Sequence, residues 1–70
     1  NMNPSIKQEF IQDFGEAYYR NGLPTLMGRI VGLLLLVNRP ISLDEITKQL
    51  NVSKGPASQV MRRFRDHHLI

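Results

Sequence analysis

Cysteine is absent from the chain, which removes disulfides, thiolate zinc sites and thiol nucleophiles together. Long hydrophobic runs are absent as well. The longest, Ile30 to Val37, is interrupted by Gly32 and closed by Arg29 and Arg39, far below the roughly 20 apolar residues of a membrane-spanning helix. The pattern of a secretory leader is also missing, so a soluble cytoplasmic protein is expected. Strand signal is confined to Pro40-Ile41-Ser42. There is no glycine-rich phosphate loop and no set of ligands at metal spacing. His67 and His68 are neighbours, so on a helix they point about 100° apart, whereas helical metal pairs stand three or four residues apart. Serine, histidine and aspartate occur without the context of a triad. The expectation is a protein that is not an enzyme, with no catalytic residue, no metal and no cofactor.

What is present fits one small globular domain, expected to span residues 1–70. The chain has 70 residues, 41% hydrophobic and 21% charged, which is not a disordered composition. A chain this short buries only about 60% of its unfolded surface. The net charge is +3, and its placement says more than its size. Residues 1–47 carry four basic and five acidic side chains, whereas residues 48–70 carry Lys48, Lys54, Arg62, Arg63 and Arg65 against Asp66 alone. The excess positive charge therefore sits in the last third, and it suggests an acidic partner.

Four helices are expected, at about 4–20, 24–37, 43–50 and 54–67. Asn3 reads as an N-cap with Pro4 at the first helical position. Ile6, Phe10, Phe14, Ala17 and Tyr18 form an apolar stripe of helical period, with Glu9, Asp13 and Glu16 opposite. Asn21-Gly22 ends that helix, because glycine accepts a left-handed cap. Pro24 starts the second helix, which is apolar nearly all round and so is expected to be central and buried. Gly28 and Gly32, four apart, are expected to let a neighbouring backbone come close. Asn38-Arg39-Pro40 breaks this helix. Ser42-Leu43-Asp44-Glu45 has the form of a capping box, and Ser53 reads as the N-cap of the fourth helix. Pro56 is tolerated there because amides of the first turn have no helical partner to lose.

Helix, three-residue turn, helix is the spacing of a helix-turn-helix. Asn51 is the best non-glycine choice for a left-handed exit from the third helix, and Val52 plugs the gap behind it. Ile46, Leu50, Ala57 and Val60 face inward where the helices cross, and His68 is assigned to the core side. Gly55, Ser58, Gln59, Arg62 and Arg63 fall on the outer side of the fourth helix. Groove insertion needs short hydrogen-bonding side chains in the first half of such a helix and cations further along. Lys54, Gly55, Ser58 and Gln59 are therefore the candidate base contacts, with Gln59 suited to bidentate pairing with adenine. Ser42, Ser53, Arg62, Arg63 and Arg65 are the candidate phosphate contacts, the serines because a helix N-terminus holds anions.

The succession Phe14-Gly15-Glu16, Gly22-Leu23-Pro24, Gly28-Arg29-Ile30-Val31-Gly32, Ser42-Leu43-Asp44-Glu45-Ile46 and Val52-Ser53-Lys54-Gly55 resembles the GbsR branch of MarR-type regulators. Pro56 and Thr47 depart from the commoner choices of that family, a polar residue and an alanine. The resemblance covers about residues 10–70. It implies a winged helix-turn-helix transcriptional regulator that binds double-stranded DNA as a homodimer. It further implies that the wing, the C-terminal helices and any small-molecule effector pocket lie beyond residue 70, so that the chain is the N-terminal part of a longer protein. Motif, charge and resemblance together lead to an expectation of an all-α fold. It would be the helix-turn-helix core of a winged-helix DNA-binding domain lacking its wing. The expected function is that of a repressor-like regulator whose helix 53–68 enters the major groove. The alternative is a helix-turn-helix used as a protein-interaction module, its basic face set against an acidic protein surface.

Overall fold

The computed structural model describes residues 4–67; the N-cap expected at Asn3 and the core histidine expected at His68 lie outside the described residues. Four helices follow one another: α1 (Pro4–Arg20), α2 (Thr25–Val37), α3 (Leu43–Leu50) and α4 (Lys54–Asp66), and no strand occurs among the described residues. The chain divides into two compact units, Asn1–Pro40 and Ile41–Ile70. Among the described residues no helix is long and apolar enough to cross a membrane.

In the first unit α1 packs along α2, and glycines set the distance. A Cβ added at Gly28 would collide with the Phe14 carbonyl oxygen and lie 2.8 Å from the Phe14 carbonyl carbon and 2.9 Å from Gly15 Cα. At Gly32 it would stand 3.2 Å from Ile11 Cα. The expected close approach of backbones is therefore present, and its neighbour is α1. The stripe on α1 needs correcting. Its buried line runs through Ile11 and Gly15, whereas Ile6 is 46% exposed. Phe10 and Phe14 are half-buried and lie with ring centroids 4.9 Å apart. Nor is α2 buried all round: Met27, Ile30 and Leu33 are inside, but Leu35 is 58% exposed. No ion pair joins Glu16 to Arg20 among the described residues.

The chain reverses after α1 through Gly22 at φ 78°. The Leu23 N–H returns to the Tyr18 carbonyl at 2.9 Å and the Gly22 N–H to the Tyr19 carbonyl at 3.0 Å, the paired bonds of a Schellman end. Pro24 stands just outside α2 as its N-cap, with extended backbone, rather than at the first helical position. Asn38 ends α2 in the left-handed conformation, φ 51° and ψ 38°.

In the second unit α3 packs on α4, with Ile46, Leu50, Ala57, Val60 and Phe64 buried. The expected cap at the head of α3 is formed: Ser42 Oγ accepts from the Glu45 N–H at 3.1 Å. This bond satisfies one of the roughly four first-turn donors that lack an intrahelical partner, at the head of a helix of only 8 residues. Ser42→Ala should therefore cost about 1 kcal/mol, measured as a lower urea midpoint with unchanged slope; an unchanged midpoint would show that solvent caps the helix equally well.

Candidate nucleic-acid interface

Residues 51–53 join α3 to α4. Asn51 sits at φ 54° and ψ 52°, the left-handed exit its side chain tolerates. The Val52 N–H reaches back to the Thr47 carbonyl at 3.2 Å, and Val52 is half-buried. This turn fixes how α4 leaves α3, so it fixes which side of α4 looks outward. The chain is an all-α helix-turn-helix protein.

The two helix starts differ in chemistry. Ser42 is committed to capping α3, whose first turn also carries Asp44 and Glu45. Ser53 has the extended backbone of an N-cap, φ −71° and ψ 153°, yet its hydroxyl caps no amide. The cause lies three residues on. Pro56 occupies the third helical position, whose N–H is the usual donor to an N-cap hydroxyl, and proline has none. Proline leaves α4 intact but disarms its cap. No acidic residue stands in the first turn of α4, so the positive end of its peptide dipoles is not offset there.

Lys54, Gly55, Gln59, Arg62, Arg63, Arg65, Ser42 and Ser53 are all exposed, whereas Ser58 is half-buried. The fourth-helix face is split. Ser58, Arg62 and Arg65 border a cleft of about 530 Å³ whose walls include Leu43, Ile46 and Met61. Gly55, Gln59 and Arg63 do not line it. A Cβ at Gly55 would meet nothing within 4 Å, so nothing in the described structure requires glycine at that position. Arg62 and Arg63 join no ion pair among the described residues. Arg65 Nε lies 3.8 Å from Asp66 Oδ1.

Lys54 is engaged. Its Nζ stands 3.4 Å from Asp44 Oδ1, across the turn on α3. Asp44 entered the sequence argument only as part of a helix start. The available signal was a pair of opposite charges, one in the first turn of each helix. The cleft was also missed, because periodicity assigns faces to single helices and says nothing about the space between two. Among the described residues no group of three or more His, Cys, Asp or Glu side chains is placed to hold a metal ion.

With this geometry in place, the chain proves similar to two proteins of Bacillus subtilis (strain 168). It is 29% identical over 63 residues to "Putative HTH-type transcriptional regulator YvaV", covering 90% of this chain and 36% of that protein. It is 27% identical over 63 residues to "HTH-type transcriptional repressor OpcR", covering 90% of this chain and 34% of that protein. Both are named as helix-turn-helix regulators. The chain thus spans about a third of the length of these relatives. No protein-family model and no solved structure matches it.

Proposed function

We propose that the chain is the duplex-reading part of a transcriptional regulator, with α4 entering the major groove. The observation that carries this is the outer side of α4. Gly55, Gln59, Arg62 and Arg63 are exposed along it, behind a helix start that carries no acid and whose serine hydroxyl caps nothing. On this side glycine and glutamine come first and the arginines follow, the order that base edges and then phosphates require. The names of the two relatives support the same reading.

In this reading Lys54, Gly55, Ser58 and Gln59 meet base edges, while Ser53, Arg62, Arg63 and Arg65 meet phosphates. Ser42 is the weaker phosphate candidate: its oxygen already accepts a cap bond, and Asp44 and Glu45 beside it oppose an anion. Ser58 is the weakest base candidate, since it borders the cleft. Membership of the GbsR branch, a wing, homodimerisation, a small-molecule effector and action as a cytoplasmic repressor belong to the same proposal.

Fluorescence anisotropy on a labelled mixed-sequence duplex tests it. Three arginine–phosphate contacts alone give a salt slope near −3, so affinity should fall roughly 40-fold between about 50 and about 200 mM salt. Absence of binding at the lower salt would sink the duplex reading and leave the basic face to an acidic protein partner.

A further inference from the structure

We infer that Asp44 restrains sequence-independent DNA binding by holding Lys54 as its ion-pair partner, an inference that rests on the duplex-binding reading above. Lys54 opens α4, and its Nζ lies 3.4 Å from Asp44 Oδ1, with the two side chains 68% and 77% exposed. An ion pair so exposed adds little to the fold, because water screens it and ordering two flexible side chains opposes it. The buried contacts of Ile46 and Leu50 with the α4 side of the unit, where Ala57, Val60 and Phe64 are inside, are what hold the two helices together. The pair acts instead on charge. It neutralises the one cation in the first turn of α4, at a helix end where no acid of α4 itself stands.

A carboxylate in that place does what a phosphate oxygen would do. DNA that approaches α4 must displace Asp44 from Lys54 or meet it as a like charge. Where no preferred base edge is offered, Lys54 can serve DNA only by turning to the nearest phosphate. Sequence-independent binding depends almost wholly on such cation–phosphate contacts, so that binding loses most when Asp44 holds the lysine. Binding at a preferred sequence has base contacts to set against the same loss, and discrimination is the difference between the two affinities. Asp44 is therefore a positioning residue, acting on DNA through Lys54.

The test uses Asp44→Asn, Lys54→Ala and the double variant, titrated with mixed-sequence duplex at several salt concentrations. Asn at position 44 retains the backbone carbonyl that accepts from Thr47 Oγ1 at 2.8 Å, and thermal melts check that each variant folds. Asp44→Asn should bind mixed duplex about 3- to 5-fold more tightly at low salt, with a salt slope steeper by up to about one unit. In the Lys54→Ala background the same change should give a clearly smaller gain, limited to the removal of one like charge. Unchanged affinity and slope in Asp44→Asn, while the unsubstituted protein binds DNA, would overturn the inference. An equal gain in the Lys54→Ala background would overturn it too, since the effect would then be bulk charge. If the unsubstituted protein binds no duplex, the functional reading itself fails and takes this inference with it.

Discussion

Gly28→Ala should lower the thermal unfolding midpoint by roughly 10 °C. The added Cβ would run into the Phe14 carbonyl oxygen, with Gly15 Cα 2.9 Å away. These are backbone atoms of α1, which cannot rotate aside as a side-chain tip can, so α1 must move off α2. Overpacking of this kind costs about 1–3 kcal/mol and occasionally more. Alanine returns about 1 kcal/mol as a better helix former than glycine. Taking the upper end of the steric cost, because the obstruction is main chain, leaves a net loss of about 2 kcal/mol. In a domain of this size each kcal/mol moves the midpoint by about 4–8 °C. Gly55→Ala is the internal control. A Cβ there has open space, so only the helix-propensity gain remains and the midpoint should hold or rise slightly. Melts followed by circular dichroism decide it. Equal midpoints for the two variants would mean that α1 and α2 are not in backbone contact.

Gln59→Ala and Arg62→Ala should damage DNA binding in different ways. Gln59 is exposed on α4 and stands away from the cleft, where its amide can offer a donor and an acceptor to one base. Losing a bidentate base contact removes about 1–3 kcal/mol of discrimination, or roughly a 5- to 150-fold preference. The loss should fall on one position of the preferred site and spare the others. Arg62 joins no ion pair among the described residues, so its removal should weaken all duplexes alike and flatten the salt slope by about 0.9. Titration against a preferred site and its single-base variants separates the two patterns. Uniform weakening by Gln59→Ala would place that residue on the backbone rather than on a base.

Much of the helix pattern was legible because helix ends are local chemistry. Gly22, Ser42 and Asn51 each act through neighbours a few residues away, and each does what its side chain allows. The phase of a helix is less local. A period of 3.6 lets a stripe on α1 be drawn through Ile6, Phe10 and Phe14 or through Ile11 and Gly15. The choice is made by α2, whose Gly28 and Gly32 admit the Ile11–Gly15 side. Uniform hydrophobicity gave α2 no phase at all, and its glycines supplied one. Ser53 shows a signal that was present but passed over, since counting three residues on reaches a proline with no amide to give. The Asp44–Lys54 pair lies further from view, because it joins two helices across a turn and no periodicity within either one encodes it.

The left-handed turn residues give the protein an unusual map of mutational tolerance. Gly22, Asn38 and Asn51 are all solvent-exposed and all hold positive φ. Ranked by burial, they would count among the most replaceable positions in the chain. Ranked by backbone, they are among the least, because an ordinary L-residue in that conformation costs about 1–2 kcal/mol. Glycine is the one exchange that both asparagines accept without strain. A substitution library over α3 and α4 would thus spend most of its surface freedom on the helix faces, while position 51, solvent-exposed, stays almost as constrained as the buried leucine that precedes it.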